Sequence, residues 1–225
     1  MIYHVAQLLG GNMKVIFEDN HLLVVEKPEN IPMQLDSSKD DDLLSLCKQY
    51  LKEKYHKPGN VYLGLVHRLD RPVGGVCVFA KTSKAASRLS TMINSRDFKK
   101  EYLAVVYDNG LKDKDILEDN LLKDEKTNMV KVDPKGKKAS LAYEVIKRKD
   151  NLALIHIYLH TGRSHQIRVQ FSSRNHPLWG DQRYNKNASV GEQIALHSYS
   201  LSFKHPVTKE LLTFKSDISR YPFNL

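Results

Sequence analysis

The sequence has few cysteines and no long apolar segment. Among its 225 residues only Cys47 and Cys77 are cysteine, and they form no Cys-x-x-Cys pair. This pattern excludes a disulfide framework and a zinc ribbon. No apolar run approaches the ~20 residues of a membrane span, and the start of the sequence lacks the basic end and apolar stretch of a secretory signal. We therefore predict a cytoplasmic protein that does not enter the membrane.

The common nucleotide-binding and hydrolase motifs are absent as well. There is no Gly-x-x-x-x-Gly-Lys-Ser/Thr loop, no Gly-x-Gly-x-x-Gly after a strand and no Gly-x-Ser-x-Gly elbow. His156 and His160 would share one face of a strand, but no carboxylate or cysteine lies near them at ligand spacing. The sequence thus predicts no metal, nucleotide or redox cofactor.

What the sequence does contain is positive charge. Lysine and arginine number 35 against 26 acidic residues, which gives a net charge of +9. The basic residues concentrate around Lys81–Lys100, Lys131–Lys138 and Arg163–Arg183. The content of 41% hydrophobic and 27% charged residues is that of an ordinary globular protein. The charge therefore favours a polyanionic partner such as a nucleic acid.

The spacing of apolar residues predicts an α+β fold. Helices are predicted over Leu43–Leu51 after the acidic Asp40–Asp42, over Ala85–Ile93 after Thr82, and over Ser164–Ser173 with Ser164 as a cap. The predicted strands are Lys14–Phe17, Leu22–Glu26, Gly75–Ala80, Tyr102–Tyr107, Ser140–Arg148, Leu152–His160, Leu196–Lys204 and Leu211–Lys215. Hairpins between neighbouring strands favour a mainly antiparallel mixed sheet with packed helices. We expect a lead segment, residues 1–13, and one domain, residues 14–225.

The segment Leu65–Pro72 is the first candidate for chemistry. Arg68 and Arg71 flank Asp70, directly after an apolar strand and before a proline. One interpretation is a structural ion pair at a strand end. The other is a carboxylate that neighbouring guanidinium groups keep ionised, with the arginines binding phosphate or base.

A second candidate is the segment Thr161–Arg168. Arg163, His165, Gln166 and Arg168 place many hydrogen-bond donors at the start of the predicted helix, where anions bind readily. Arg168 and His165, three residues apart, would share one helical face. A solvated basic face is the alternative. Tyr102, beside Lys99–Glu101, is either a core residue or a ring that stacks on an unpaired base.

Together, these segments resemble the RluA family of pseudouridine synthases. The resemblance rests on His67–Asp70, Lys100–Tyr102, Thr161–Val169, His176–Asp181 and Leu196–Ser198, and it extends from about Lys14 to Phe214. It implies a catalytic domain with a central basic cleft, in a short form without an S4 domain. It also implies that Asp70 is the catalytic carboxylate, that Arg168 pairs with Asp70, that Tyr102 lies against the target uracil, and that Arg68 enters the space left by the flipped base.

The expected partner is transfer or ribosomal RNA, bound by a monomer without a small-molecule cofactor. We predict RNA contacts from Lys27, Arg68, Arg71, Arg163, His165 and Gln166. A further family motif begins at Lys27–Pro28, which match it, but departs from the family pattern at Asn30, where glycine is commoner. Asparagine can still adopt the left-handed backbone conformation that glycine would supply.

Two other functions remain compatible with the same residues. A non-catalytic RNA-binding protein could use the same basic cleft. A metal-independent ribonuclease could use His67 and His165 as acid and base. The first would modify no RNA, and the second would shorten it.

Overall fold

The computed structural model describes residues 13–36 and 38–225, which form two compact units. The first unit comprises residues 13–98 and Ser200–Ser216, and the second comprises Lys99–Tyr199 and Asp217–Leu225. Most of the predicted lead segment, residues 1–12, lies outside the described residues. That residues 14–225 form one catalytic domain stays a prediction.

The described residues form eleven strands and three helices. In chain order these are β1 (Lys14–Glu18), β2 (Leu22–Lys27), α1 (Leu43–Lys54), β3 (Gly64–Leu65), β4 (Gly74–Ala80), α2 (Ser83–Asn94), β5 (Lys99–Tyr107), β6 (Lys114–Asp124), β7 (Met129–Val132), β8 (Lys137–Lys149), β9 (Leu152–Leu159), α3 (Gln166–Ser172), β10 (Leu196–Lys204) and β11 (Leu211–Lys215).

In the first unit, β2 is antiparallel to both β1 and β4. The short β3 is antiparallel to the end of β4, where Gly64 pairs with Ala80 and Leu65 pairs with Phe79. The hairpin of β10 and β11 pairs Ser200 with Lys215 and Lys204 with Leu211. All seven residues of β4 are buried. The core of this unit joins side chains from β1, β2, β4, α2, β10 and β11. The segment between β3 and β4 is therefore held at both ends, because β3 pairs with β4 and β4 itself is buried.

The second unit is a sheet of five strands in the order β5-β9-β8-β6-β7. Each neighbouring pair is antiparallel. Helix α3 packs on the β6–β7–β8 part of this sheet, where Val169 and Tyr184 join Leu121, Val130 and Ala139 in one apolar cluster. The short α3 is thereby held against a wide sheet, and its side chains have fixed surroundings.

The predictions of an α+β fold and of a mainly antiparallel sheet are confirmed. Asp42 caps α1 by accepting the Ser45 N–H, and Thr82 caps α2 by accepting the Ala85 N–H. Asn30 has φ 65°, so asparagine does supply the left-handed conformation. No helix among the described residues has the length and apolar character to cross a membrane.

One predicted helix start is wrong. Helix α3 begins at Gln166, and the residue before it, His165, has the left-handed φ of 50° and forms no side-chain cap. Ser164 therefore does not cap the helix. Because His165 lies outside the helical backbone, it does not share a helical face with Arg168.

Candidate active site

The segment His67–Asp70 alternates between buried and exposed side chains. His67 and Leu69 are 9% and 6% exposed, whereas Arg68 is exposed and Asp70 is half-buried. The two buried residues, His67 and Leu69, attach this segment to the first unit. The result is an extended stretch that presents the guanidinium of Arg68 and the carboxylate of Asp70 away from the core.

His67 has a structural position. Its Nε2 accepts the backbone N–H of Val78 at 3.1 Å, and its ring lies 5.8 Å from the ring of Phe98. A buried imidazole whose Nε2 accepts a backbone hydrogen bond is a poor general acid or base for a bound RNA. This geometry argues against the ribonuclease hypothesis.

The turn after Asp70 is held by a buried lysine. Val73 N–H donates to the Asp70 carbonyl at 3.0 Å and closes the turn. Lys27 is 1% exposed, and its Nζ donates to the carbonyls of Pro28 at 2.9 Å, Arg71 at 2.9 Å and Val73 at 2.7 Å. An ammonium group has three N–H donors, so all three are used by backbone carbonyls.

The predicted RNA contact of Lys27 is therefore replaced by a role inside the protein. An RNA phosphate would find neither an accessible surface nor an available donor on this side chain. Burial lowers the pKa of Lys27 to about 8, while the neighbouring Cys77, Asp70 and Glu29 oppose that decrease. Lys27 thus joins the end of β2 to the loop that carries Asp70.

Arg71 also contacts its own unit. Its guanidinium forms an ion pair with Asp40, lies 3.8 Å from Asp36, and donates from Nε to the Asn30 carbonyl at 3.2 Å. Hydrogen bonds from Ser38 lower the pKa of Asp36, and the hydrogen bond from Arg71 lowers the pKa of Asp40. Arg71 therefore fixes the loop after β2, and its RNA contact stays a prediction.

In the second unit, Arg168 is held by a carboxylate that the sequence did not single out. Arg168 lies in α3 and is 6% exposed. Its Nε and Nη2 donate to the two oxygens of Asp181 at 2.8 Å and 2.7 Å. Its guanidinium carbon lies 5.1 Å from the centre of the Tyr184 ring. Such a two-point ion pair fixes the plane of the guanidinium as well as its position.

His165 and Tyr184 form the next contact. Nδ1 of His165 lies 2.7 Å from the Tyr184 hydroxyl, which also accepts the Val130 N–H at 3.0 Å. Burial raises the pKa of Tyr184. Strand β7, the loop before α3 and the segment after Asp181 are therefore connected through one phenol.

Gln166 and Arg163 have different surroundings although both were predicted to bind RNA. Gln166 is 3% exposed; its Nε2 donates to the Ser140 carbonyl at 3.1 Å, and its Oε1 accepts from Thr161 at 2.8 Å and from the Arg163 N–H at 3.0 Å. Its amide thus shapes the loop, which replaces the predicted RNA contact. Arg163 is exposed and donates from Nε to the Lys138 carbonyl at 2.9 Å.

Tyr102 lies in β5 opposite Ile157 of β9 and is 6% exposed. Little of its ring is therefore exposed. The described residues contain no group of three or more His, Cys, Asp or Glu side chains that could bind a metal ion.

Comparison with known proteins places these residues in a family. A family model described as RNA pseudouridylate synthase matches residues 21–173, which include both Asp70 and Arg168. The chain belongs to the RNA pseudouridylate synthase family. This family consists of isomerases, so the predicted enzyme class is confirmed at the level of the family.

Curated relatives support the same family. The chain is 31% identical to the ribosomal large subunit pseudouridine synthase C of Buchnera aphidicola subsp. Acyrthosiphon pisum, over 96% of this chain and 69% of the relative. It is 32% identical to the ribosomal large subunit pseudouridine synthase D of Nitrosomonas europaea, over 92% of this chain and 62% of the relative. The chain thus spans about two thirds of the length of these relatives. The resemblance to the RluA family is confirmed.

A solved pseudouridylate synthase structure has the same fold. Human RNA pseudouridylate synthase domain containing 4 matches with a TM-score of 0.77 at 21% identity, over 93% of this chain and 90% of the human chain.

The sequence did not reveal the partners that hold the predicted residues in this pseudouridylate synthase chain. Asp181 ends the segment His176–Asp181 that carried part of the resemblance, but its bond to Arg168 depends on the fold. Tyr184 lies beyond that segment and had no signal of its own. Lys27 was singled out because Lys27–Pro28 matches the family pattern, yet its burial is decided by tertiary structure.

Proposed function

We propose that this protein converts a specific uridine of ribosomal or transfer RNA into pseudouridine, with Asp70 as the catalytic carboxylate. The observation that carries the proposal is the position of Arg68 and Asp70 on a loop that Lys27 fixes through the backbone carbonyls of Arg71 and Val73. The names of both curated relatives refer to the large ribosomal subunit. Ribosomal RNA is therefore the favoured substrate.

The reaction needs few groups from the protein. The bond from uracil N1 to ribose C1′ breaks, the base turns while bound, and uracil C5 bonds to C1′. C5 then loses its hydrogen as a proton, and N1 gains one, so nothing is consumed. Glycoside hydrolysis normally uses two carboxylates. One protonates the leaving group, and the other acts as the nucleophile or activates a water molecule. An isomerase excludes water, and one carboxylate suffices.

Asp70 can act by either of two routes. It can attack C1′ as a nucleophile, or it can remove a proton from C2′ to give a glycal-like intermediate. Both routes require the ionised carboxylate. We propose that Arg168 pairs with Asp70, because the bidentate bond to Asp181 already fixes the orientation of the Arg168 guanidinium. Tyr102 is proposed to lie against the target uracil.

A uridine stacked within folded RNA cannot present C1′ to a carboxylate. We therefore propose that the nucleotide is flipped out, which costs a few kcal/mol, and that Arg68 fills the space it leaves. A central basic cleft is proposed to bind the flanking phosphates. RNA affinity should then fall steeply with salt, because releasing counterions into a more concentrated salt solution gains less free energy.

The decisive test uses RNA tritiated at uracil C5. The wild-type protein should release tritium to water without shortening the RNA. Asp70→Asn should abolish the release while its RNA affinity stays within severalfold of wild type. An active Asp70→Asn variant would refute the role of Asp70.

The same assay separates the two alternative functions. A non-catalytic RNA-binding protein would bind the RNA and release no tritium, and a ribonuclease would shorten it. Mapping of pseudouridine in total RNA, from cells with and without the protein, would then identify the modified uridine. A monomeric state and a cytoplasmic location stay predictions.

A further inference from the structure

Four cations of the second unit lie at the β7–β8 turn, at the start of β8 and on the loop before α3, and none of them has an acidic partner in the part of the chain that the structure describes. Lys135, Lys137, Lys138 and Arg163, here named the turn patch, are all exposed. No ion pair among the described residues includes any of the four. On the neighbouring strands β7 and β6 lysines are neutralised, as in Lys131–Asp133 at 2.9 Å and Lys123–Glu125 at 2.6 Å.

The backbone of the turn is held by hydrogen bonds, so the points from which its lysine side chains project are fixed. Asp133 accepts the Gly136 N–H at 2.8 Å through its carbonyl and the Lys135 N–H at 3.0 Å through its carboxylate. Asp133 N–H in turn donates to the Asn120 carbonyl at 2.9 Å. A Cβ at Gly136 would lie 2.4 Å from the backbone carbon of Leu121. The turn therefore lies directly on β6, and only glycine allows this approach.

The patch also connects to a predicted RNA contact. Arg163 donates from Nε to the Lys138 carbonyl at 2.9 Å, and Gln166 ties the same loop to the Ser140 carbonyl at 3.1 Å. The loop before α3 therefore lies directly beside the first residues of β8. A polyanion bound at Arg163 would meet the three lysines next.

The chemistry of the surface selects phosphates over bases. No aromatic residue occurs between Asp108 and Ala142, so the turn offers no ring on which an unpaired base could stack. Lysine ammonium groups are point charges that contact phosphate oxygens without reading sequence. A paired stem presents phosphates of two strands and is the denser target.

We propose that the turn patch docks the phosphate backbone of a paired stem of the substrate RNA. The inference rests on the proposed function, since it takes RNA as the ligand. It adds a sequence-independent docking surface to the residues that act on the base. Its effect is on RNA affinity, while the rate at saturating RNA depends on the catalytic residues.

The test compares a triple variant, Lys135→Ala, Lys137→Ala and Lys138→Ala, with wild type. Binding of a fluorescein-labelled RNA hairpin is measured between about 50 and 200 mM salt. Three lost phosphate contacts should make the slope of log affinity against log salt less steep by about two to three. The Kd at moderate salt should rise by roughly tenfold to several-hundred-fold. Binding of unstructured oligouridine should weaken less.

The matched control is the triple variant Lys112→Ala, Lys114→Ala and Lys149→Ala, which removes the same charge at the opposite ends of β6 and β8. It should keep the wild-type slope, and circular dichroism should show both variants folded. A wild-type slope in the turn-patch variant would overturn the proposal, as would an equal loss of oligouridine binding.

Tritium release separates this proposal from the proposed function. If wild type releases no tritium but the turn-patch variant shows the altered slope, the catalytic proposal fails and the docking surface stands. If wild type is active and the variant binds the hairpin like wild type, the docking surface fails alone. At saturating RNA, the variant should release tritium at the wild-type rate.

Discussion

Replacing Lys27 by methionine tests whether the buried ammonium positions Asp70. Methionine has a similar length but no donor, so the carbonyls of Pro28, Arg71 and Val73 would lose their shared partner. The turn closed by the Val73 N–H and the Asp70 carbonyl would then be held only by its own hydrogen bond and its neighbours. We expect Asp70 to lose its fixed position before the unit loses its fold.

The size of the effect follows from two opposing contributions. Hydrogen bonds from a charged donor contribute about 1.5–3 kcal/mol each, so three lost bonds destabilise by roughly 5–9 kcal/mol. The fall of the Lys27 pKa from 10.5 to about 8 means that holding the charge inside costs about 3 kcal/mol. Methionine removes that cost. The variant should therefore be less stable than wild type by roughly 2–6 kcal/mol at pH 7.

The pH dependence gives this prediction a signature. The pKa of Lys27 is lower in the folded than in the unfolded state, so the cost is fully present below about pH 8 and is relieved between pH 8 and 10.5. Wild type should gain up to about 3 kcal/mol over that interval, and Lys27→Met should not. Urea denaturation at several pH values measures both.

Activity is measured on the folded variant. Because a misplacement of about 1 Å can cost roughly 100-fold in rate, kcat for tritium release should fall by about ten- to 100-fold while KM for RNA stays close to wild type. The control is Lys81→Met, since Lys81 is 9% exposed and donates to Glu18 at 2.7 Å, in the same unit. It should lose stability and keep kcat. A folded Lys27→Met protein with the wild-type kcat would show that Lys27 does not position Asp70.

Two further predictions concern buried charges. Asp181→Asn removes the negative charge that the Arg168 guanidinium contacts through two hydrogen bonds, so we expect a loss of roughly 3–5 kcal/mol in stability and a fall in kcat. The control is Asp119→Asn, which breaks the 2.9 Å pair with Arg174 just after α3. It should lower stability and leave kcat unchanged. Equal kcat values in both variants would contradict a positioning role for Asp181. Burial alone would raise the pKa of Glu18, but hydrogen bonds from Lys54, Lys81, Tyr55 and Tyr50 lower it to about 2. This carboxylate therefore adds stability above pH 4.5 that is lost as pH falls towards 2, by about 1–2 kcal/mol after solvent screening. Urea denaturation at pH 5 and pH 3 should show this loss in wild type but not in Glu18→Gln, and an identical loss in both would refute it.

The helices and most strands could be predicted because their signals are local. Asp42 and Thr82 precede apolar residues at helical spacing, and each caps the helix that follows. The β10–β11 hairpin has the predicted bounds because its alternation and its turn agree. Helix caps and short hairpins depend on residues that are adjacent in the chain, so they can be read from one sequence.

Strand β6 could not be predicted for a physical reason. Its buried side chains include Leu117 and Leu121, which are four residues apart and fit a helix as well as a strand. Most of its other residues are charged or polar, and these are poor strand formers. Pairing with β8 on one side and β7 on the other decides the conformation. This is tertiary information that local periodicity does not contain.

The sequence located the charged residues of the site, but it did not show which of them are buried and which are exposed. Lys27 and Arg68 are both cations in recognised segments, yet one is 1% exposed with three carbonyl partners and the other is exposed. A buried charge is screened little and holds its neighbours in place, whereas an exposed charge contributes through counterion release. Loss of Lys27 should therefore lower kcat without changing the salt slope of RNA binding. Loss of Lys135, Lys137 and Lys138 should change the slope without changing kcat, and the two measurements together assign each cation to positioning or to docking.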